Sequence, residues 1–586
     1  MSARFGYVIV MEGPSSNSRA TFKRAIPFRK HLSGFGFSFI LATATLVVTV
    51  EAASHKGAEV EANATITPTP TPTPGDKSTP APHFKPESSS SSGSVTVEGS
   101  HIDYQAVAGT LVVHPKGWDD AAKAEDEKAK EGDEDSQDDN ESKNPTAEAS
   151  MFYVAYTRQH TEPDKRPITF LYNGGPGSSS VWLHMGAFGP RRVITADNSH
   201  TPAAPYQVVN NDFSLLDASD LVFVDAPGTG FSRVAGKNKK KEFYGVDQDA
   251  HAFAEFIVAY LSKYGRWNSP KYLFGESYGT PRSAVVANDL VNDSVDLNGV
   301  ILLSAILNFD LNADFPQVNP GVDLPYAVML PTMAASAWYH KKAGTGVTDL
   351  PTFLKPVEQF AMHDYLDALN QGSELPADKK REIAQKMSGY IGLPVDYLMK
   401  ANLRVTGPQF EQQLLQDNEQ DTGRFDTRFA GPILDPLGEF AFYDPQSAAI
   451  GSPIVSVFND YERTQLKFGQ DLVYLPVSNE LGNNWDFKHA QPGTPPLPFG
   501  VNVMPDLAAV MAQNPDMKVM LNAGYYDLAT PYYSAVYVMH HLPMPDSLQK
   551  NISYGFYPAG HMVYVNLESL KMLHENVAKF IEDSHK

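Results

Sequence analysis

From about residue 166 onward, short apolar segments alternate with segments whose apolar residues recur at helical spacing. The stretches "RPITFLYNGG" and "SDLVFVDAPGTG" each indicate a buried strand that runs into a glycine turn, and "FAEFIVAYLSKYG" indicates a helix ahead of the strand-like "KYLFG". The alternation continues with the helical "SAVVANDLV" and the buried strand "LNGVILLSA". Strands that alternate with helices in this way predict an α/β fold with a mostly parallel central sheet.

This alternation stops between about residues 310 and 450. Segments such as "VEQFAMHDYLDALNQ" and "ADKKREIAQKMSGYIG" have the periodicity of amphipathic helices, and no strand is expected among them. We interpret the stretch as a helical insertion that covers the sheet as a lid. The α/β pattern resumes with "KVMLNAGYYD" and "NISYGFYPAGHMVY", and "LESLKMLHENVAKFIED" predicts a final helix.

The first 52 residues have the layout of a secretory signal peptide. An uncharged, mostly apolar run over residues 32–50 is followed by "VEA", which ends at Ala52 as a small-residue cleavage site. Basic residues ahead of the run include Arg19, Lys23, Arg24, Arg29 and Lys30. The prediction is a secreted or periplasmic protein with no stable membrane span after cleavage. The alternative is an N-terminal membrane anchor, because the run approaches the roughly 20 apolar residues of a spanning helix.

Residues 53–99 are rich in Pro, Thr and Ser and predict a disordered linker, since such a composition buries little apolar surface. After it, residues 102–114 and 150–158 predict two strands rich in β-branched and aromatic residues. The run 119–148 between them contains 13 Asp or Glu and 4 Lys. It predicts a solvated, disordered loop inserted into a hairpin, with a functional role as the alternative. The predicted folded domain covers residues 100–586.

Composition excludes several classes of function. The formal charge of -21 argues against a nucleic-acid partner, because phosphate neutralisation needs clustered Lys and Arg. The chain has no cysteine, so disulfides, thiolate nucleophiles and Cys-based metal sites are excluded. Neither feature predicts the oligomeric state.

The segment "YLFGESYGTP" contains the pattern G-x-S-x-G at Gly275, Ser277 and Gly279. In one hydrolase architecture this pattern places the serine on a strained strand-to-helix turn with its hydroxyl exposed. The alternative is a serine in an ordinary glycine-flanked turn. Because a serine hydroxyl is a poor nucleophile until a base takes its proton, the catalytic hypothesis also requires a histidine and an acid.

Two later residues meet that requirement in the order Ser, Asp, His that this architecture uses. Asp527 ends the strand-and-turn "VMLNAGYYD", and His561 follows the strand "ISYGFY". Each has an alternative explanation. Asp527 could cap the turn that begins at "LATPYY", and His561 is one of 17 histidines and could be structural. Their joint occurrence with Ser277 favours a catalytic triad.

A glycine-rich turn, "NGGPGSSS" at residues 173–180, follows an apolar strand. Glycines there let backbone N–H groups approach a reacting carbonyl, as an oxyanion hole requires. The alternative is a phosphate-binding loop, but the turn lacks the G-K-S/T and G-x-G-x-x-G patterns.

Five segments, in order "NGGPGSSS", "VFVDAPGTGFS", "GESYG", "NAGYYD" and "AGHMV", resemble the serine carboxypeptidase family over about residues 100–582. The chain is most similar to the bacterial secreted members, and the pairing of "NGGPGSS" with "GESYG" is specific. The resemblance implies an α/β-hydrolase fold. It also implies the release of single residues from a peptide with a free C-terminus, with no metal or organic cofactor.

Site residues follow from the resemblance by motif position. It implies Ser277 as the nucleophile, His561 as the acid/base and Asp527 as its orienting partner. The backbone N–H groups of Gly175 and Tyr278 would form the oxyanion hole. The implied ligands of the substrate's terminal carboxylate are Asn173, Gly174 and Glu276.

The chain departs from the family beside that carboxylate. Two charges about 4 Å apart repel by about 4 kcal/mol at an effective dielectric near 20, so acid-active members pair the glutamate with a second one. That partner position is Ala187 here, and Tyr564 stands where many members carry proline. Three outcomes are open. In the first, burial alone protonates Glu276 at acid pH. In the second, which we favour, a nearby cation such as Arg191, Arg192 or His184 assists the binding of the carboxylate. In the third, the enzyme no longer depends strictly on a free C-terminus.

Two rival functions remain. An esterase or acyltransferase would keep the fold and the triad but change the substrate. The feature that discriminates it from a carboxypeptidase is the carboxylate site, which is present at Asn173 and Glu276 but incomplete at Ala187. A non-catalytic binding protein would keep only the pocket. The intact set of Ser277, Asp527 and His561 argues against this second rival, because binding alone does not require all three.

Overall fold

A ten-stranded sheet organises the described part of the chain. The computed structural model describes residues 82–119, 144–496 and 500–585. The predicted signal peptide, most of the linker and most of the acidic loop lie outside these residues.

The strands begin with an antiparallel meander and continue into the parallel part of the sheet. Their bounds are β1 Ser88–Val97, β2 Ser100–Val113, β3 Glu148–Arg158, β4 Ile168–Tyr172, β5 Arg191–Val193, β6 Val208–Asn210, β7 Asp220–Val224, β8 Arg233–Ala235, β9 Lys271–Glu276, β10 Gly299–Leu303, β11 Gln420–Thr422, β12 Ala430–Pro432, β13 Lys518–Gly524 and β14 Ile552–Tyr557.

Helices connect the parallel strands and build the insertion. Their bounds are α1 Lys239–Phe243, α2 Val246–Tyr264, α3 Gly279–Asn292, α4 Leu324–Tyr339, α5 Leu350–Phe360, α6 Leu366–Asn370, α7 Ala377–Ile391, α8 Val395–Lys400, α9 Gly407–Leu414, α10 Pro445–Tyr461, α11 Asn479–Asn483, α12 Met504–Gln513, α13 Tyr532–His540 and α14 Leu567–Ser584.

The order of strands in the large sheet is β1-β2-β3-β7-β4-β9-β10-β13-β14, with β8 pairing with β3. The strands β7, β4, β9, β10, β13 and β14 run parallel to one another. Four of them, β4, β7, β9 and β10, are buried along their whole length. Successive residues of a strand face opposite sides, so Phe170 joins the core under α2 and α3, whereas Leu171 joins the core under α10 and α14. Burial on both faces explains why these strands are continuous apolar runs in the sequence. This is the predicted α/β-hydrolase fold.

The predicted hairpin is present, but the predicted linker is partly wrong. Strands β2 and β3 pair antiparallel, and β1 pairs antiparallel with β2 along its full length. Residues 88–97, "SSSSSGSVTV", were expected to be disordered within the linker 53–99. They form a strand because ladder hydrogen bonds use the backbone, which serine provides as well as valine does, while Val95 and Val97 anchor its end in the core.

Between β10 and β13 the chain builds the expected helical insertion, from α4 onward. The prediction that it contains no strand is wrong, since β11 and β12 pair as a short antiparallel hairpin. The insertion has its own apolar core, which includes Tyr526, Leu528 and Tyr532 from the segment after β13. Its helices therefore pack directly on the loop that carries Asp527. Every helix within the described residues is too short or too polar to serve as a membrane span.

Candidate active site

Four parallel strands end at the same edge of the sheet, and the predicted site residues follow those ends. Asn173, Gly174 and Gly175 follow β4; Ser277 and Tyr278 follow β9; Asp527 follows β13; His561 follows β14. Because β4, β9, β10, β13 and β14 are successive neighbours in the sheet, segments far apart in sequence meet there. In α/β sheets this carboxyl edge is where ligand sites form.

Ser277 lies on a sharp turn between β9 and α3, with φ of +60°. Its backbone N–H donates to the Leu303 carbonyl at 3.0 Å, and its own carbonyl accepts from the Thr280 N–H at 2.8 Å. A Cβ at Gly275 would overlap the Gly279 carbonyl oxygen, and a Cβ at Gly279 would lie 2.9 Å from the Tyr172 carbonyl oxygen, so both flanking positions favour glycine. This is the strained strand-to-helix turn that the G-x-S-x-G pattern predicts, in place of an ordinary turn.

Asp527 and His561 form a buried pair. His561 Nδ1 lies 2.8 Å from Asp527 Oδ2, and the exposed fractions of the two residues are 2% and 0%. Burial lowers the pKa of His561, but the charge and hydrogen bond of Asp527 outweigh it, so the pKa is raised overall. The other oxygen, Asp527 Oδ1, accepts from the Thr530 N–H at 2.9 Å. Asp527 therefore caps its turn and orients the histidine at once, so the two explanations offered for it are compatible.

Two contacts that the sequence did not predict hold the His561 loop. The His561 N–H donates to the Phe425 carbonyl at 2.6 Å, and the Phe425 ring lies 5.0 Å from the imidazole. On the other side, the Ser304 hydroxyl donates to the His561 carbonyl at 2.7 Å. Since Leu303 accepts from Ser277, the serine turn and the histidine loop are attached to consecutive residues at the end of β10.

No hydrogen bond joins the Ser277 hydroxyl to His561 within residues 82–119, 144–496 and 500–585. In substrate-free enzymes, catalytic hydrogen bonds are often long and tighten only when substrate binds. The structure thus shows two parts of one candidate site, the Asp527-His561 pair and the Ser277 turn, and each part is held by its own hydrogen bonds.

The glycine turn after β4 packs against the serine turn. A Cβ at Gly174 would overlap the backbone nitrogen of Tyr278, so only glycine allows this approach. Gly175 has φ of +106°, a region that favours glycine, and the Gly175-Pro176 peptide is cis. The Asn173 carbonyl accepts from the Arg282 guanidinium at 2.7 Å, which ties this turn to α3. The backbones that were predicted to stabilise an oxyanion are therefore adjacent.

Glu276 lies beside these residues with an exposed fraction of only 1%. Its Oε1 accepts from the Tyr564 hydroxyl at 3.2 Å, whereas Oε2 has no hydrogen-bond partner among the described residues. Burial raises the pKa of Glu276 to about 7, and His561, Tyr564 and Asn173 oppose that shift. Burial, the largest cause of the shift, thus favours the neutral acid, which is the direction of the first of the three outcomes considered above.

The hypothesis of an assisting cation is not supported. The ring of His184 lies 2.7 Å from the Tyr156 hydroxyl, and burial lowers its pKa to about 3, so it is neutral. Arg192 donates to the Val193 carbonyl, and neither Arg191 nor Arg192 is among the main groups that shift the pKa of Glu276. The side chain that contacts Glu276 is instead Tyr564.

Tyr564 is the main site residue whose role the sequence did not predict. The available signal was its place three residues after His561, where the family pattern has proline. Nothing in the local sequence connects it to Glu276, which lies 288 positions earlier. As for metals, the part of the chain that the structure describes contains no group of three or more His, Asp or Glu able to hold an ion.

Comparison with known proteins agrees with this geometry. The family model described as serine carboxypeptidase matches residues 142–315, which include the glycine turn and the serine turn. Over these residues the chain is similar to the serine carboxypeptidase family. The match covers the motifs that carried the resemblance in the first half of the domain, and the Asp527 and His561 loops lie beyond it.

Two relatives illustrate this similarity. The pheromone-processing carboxypeptidase KEX1 of Candida dubliniensis is 28% identical over 169 residues, 27% of this chain and 23% of that protein. Serine carboxypeptidase-like 25 of Arabidopsis thaliana is 27% identical over 168 residues, 27% of this chain and 33% of that protein. The chain thus spans about a quarter to a third of the relatives that it matches.

Among solved structures, the prohormone-processing carboxypeptidase KEX1(delta)p of Saccharomyces cerevisiae is similar over 82% of this chain and 91% of that one. The TM-score is 0.47 and the sequence identity is 16%.

Proposed function

We propose that this protein is a serine-type carboxypeptidase that hydrolyses the C-terminal peptide bond of a peptide through an acyl-enzyme. The observation that carries the proposal is the His561-Asp527 hydrogen bond of 2.8 Å at the sheet edge that also carries the strained Ser277 turn. Serine hydrolysis needs these three groups in these roles, and the family assignment supports the same chemistry.

In the first half of the reaction, Ser277 Oγ attacks the last peptide carbonyl and its proton passes to His561 Nε2. The carbonyl oxygen becomes an oxyanion, to which the backbone N–H groups of Gly175 and Tyr278 donate. His561 then gives the proton to the leaving amine as the C–N bond breaks. An ester on Ser277 and a free amino acid result.

In the second half, water attacks the ester carbonyl and gives a proton to His561. The Ser277 oxygen leaves and takes that proton back, which restores the enzyme. Asp527 holds Nδ1 of His561 throughout, so that Nε2 faces the reaction and the transient imidazolium is stabilised. The raised pKa of His561 is consistent with this stabilisation.

The proposed site for the substrate's terminal carboxylate consists of Asn173, Gly174 and Glu276. A charged Glu276 would repel that carboxylate, whereas the neutral acid donates a hydrogen bond to it. With a pKa of about 7, Glu276 is mostly neutral at pH 5 and mostly charged at pH 8. We therefore expect the preference for a free C-terminus to weaken as pH rises through about 7.

The test is amino-acid release from an N-blocked peptide with a free or an amidated C-terminus, from pH 4 to 8, by wild type and Ser277→Ala. Release from the free peptide only, reduced about 10⁴-fold or more in the variant, supports the proposal. Serine-dependent hydrolysis of simple esters with neither peptide cleaved would overturn it in favour of an esterase or acyltransferase. Binding of the free peptide without any cleavage would favour a non-catalytic binding protein.

We also propose that the protein acts outside the cytoplasm, secreted or in a periplasm. The support is the basic and then apolar N-terminal pattern of residues 1–52, which lies outside the described residues. N-terminal sequencing of the exported protein tests this, with a mature terminus near Ala53 expected. A terminus retained at Met1 or Met11 in a membrane fraction would favour the anchor.

A further inference from the structure

Tyr564 is placed with little freedom beside Glu276. Its exposed fraction is 2%, and it lies in the helical turn Val563–Val565 that leads into α14. The ring packs over the backbone of Gly186, where an added Cβ would lie 2.7 Å from ring carbon Cε2. The absence of a side chain at position 186 leaves room for the ring. The Tyr564 hydroxyl thereby reaches Oε1 of Glu276 at 3.2 Å.

This contact determines which oxygen of a neutral Glu276 carries the proton. A tyrosine hydroxyl that donates to Oε1 makes that oxygen an acceptor, so the carboxyl proton belongs on Oε2. Oε2 is the atom without a partner among the described residues, and a buried donor left unpaired is costly until a ligand accepts from it.

We propose that Tyr564 is a positioning residue that turns Glu276 into a donor for the substrate's terminal carboxylate, by occupying Oε1 and leaving the proton on Oε2. The proposal rests on the proposed carboxypeptidase function and adds the group that makes its carboxylate site work without a second acid. One tyrosine hydroxyl here replaces a proton shared between two carboxyl groups, with Ala187 at the position where the second acid would stand.

The groups that act on Glu276 come from every segment around it. His561 from the loop after β14, Tyr564 from the turn before α14 and Asn173 from the glycine turn all favour its charged form, and Asp527 opposes it. Removing the Tyr564 hydroxyl takes away one of the stabilising donors of the charged form. The pKa of Glu276 then rises, and the neutral form persists to higher pH.

The first experiment compares wild type with Tyr564→Phe on a blocked peptide with a free C-terminus and on a neutral ester without a carboxylate. We expect KM for the free peptide to rise about fivefold at pH 5, since one hydrogen bond no longer orients the acid. The free-peptide to ester ratio of kcat/KM should fall by the same factor. The alkaline fall of that ratio should move to higher pH.

Tyr153→Phe is the matched control. Tyr153 is also buried, its hydroxyl lies 2.6 Å from the Tyr264 hydroxyl, and it lies on β3 away from Glu276. The control loses one buried tyrosine hydrogen bond of the same kind. We expect neither the ratio nor its pH dependence to change in it.

A second variant, Glu276→Gln, replaces the titrating acid by a permanent amide donor. The preference for a free C-terminus should then persist to pH 8 without an alkaline fall. Adding Tyr564→Phe to this background should again raise KM for the free peptide about fivefold, because the amide is no longer oriented, but should cause no pH shift.

The outcomes separate the two proposals. If wild type cleaves neither peptide, the carboxypeptidase function is wrong and this inference fails with it. If wild type prefers the free peptide but Tyr564→Phe matches it in ratio and pH profile, only the role of Tyr564 is wrong. A pH shift caused by Tyr564→Phe in the Glu276→Gln background would also overturn that role, since the carboxyl group at position 276 would not be its source.

Discussion

Two acidic side chains at one sheet edge, Asp527 and Glu276, are equally buried but differently bonded. Asp527 accepts hydrogen bonds from the Thr530 N–H at 2.9 Å, the Thr530 hydroxyl at 2.6 Å and His561 at 2.8 Å. Glu276 accepts one from Tyr564, and its second oxygen has no partner within the described residues. The difference shows that burial alone does not define the two groups: three donors hold Asp527 in place, whereas Glu276 keeps one oxygen available for a ligand.

The two sides also have different supports. The histidine side, defined as Asp527, His561 and Phe425, is held partly by the helical insertion through the Phe425 carbonyl. The glutamate side, defined as Asn173, Gly174, Glu276 and Tyr564, is built from loops at the ends of the sheet strands. We therefore expect changes on the histidine side to lower kcat for every substrate. Changes at Glu276 or Tyr564 should alter selectivity for a free carboxylate.

The largest expected effect is that of Asp527→Asn. The amide keeps the shape but cannot hold His561 in the required tautomer, so kcat should fall about 10⁴-fold for peptides and esters alike. Steady-state kinetics on both substrates measures this. The control is Asp506→Asn, which should keep kcat. Asp506 is also a buried aspartate, its Oδ2 lies 2.8 Å from His489 Nε2, and it is not part of the candidate site. A loss confined to free peptides would contradict the division into two sides.

Gly174→Ala should have the next largest effect. The new Cβ collides with the Tyr278 backbone nitrogen and pushes the glycine turn away from the serine turn. A displacement of about 1 Å at reacting groups lowers the rate about 10²-fold. We expect this loss in kcat for both peptide and ester, because the N–H groups that stabilise the oxyanion act on both substrates.

The control for Gly174→Ala is Gly389→Ala. Gly389 lies in helix α7, and an added Cβ there meets nothing within 4 Å. Alanine favours helices, so thermal unfolding should show a small gain in stability and unchanged kinetics. Equal kinetics in the two variants would mean that the glycine turn does not take part in catalysis.

Phe425→Leu should have the smallest effect. It keeps the backbone hydrogen bond to His561 but removes the aromatic contact at 5.0 Å, which is worth about 0.5–1.5 kcal/mol. A threefold to tenfold lower kcat with little change in KM is expected for peptide and ester. Phe440→Leu, at an exposed position of the same insertion, is the control. A change in KM alone would place Phe425 with substrate binding instead.

Much of the fold could be predicted, because the parallel strands are buried on both faces and are continuous apolar runs in the sequence. The two wrong predictions involve segments without that signal. Strand β1 is a serine run held by backbone pairing, and β11 and β12 are three residues each, too short to show a period.

Sequence by itself determined the alternation of strands and helices, the serine turn and the candidate triad residues, because each depends on a local pattern of a few residues. Only the tertiary structure decided what surrounds Glu276. Its neighbour Tyr564 is 288 positions away, and the room for that ring comes from Gly186 on a third segment. A buried acid's protonation depends on such contacts across the fold, so a motif can identify the glutamate but cannot predict how it is held.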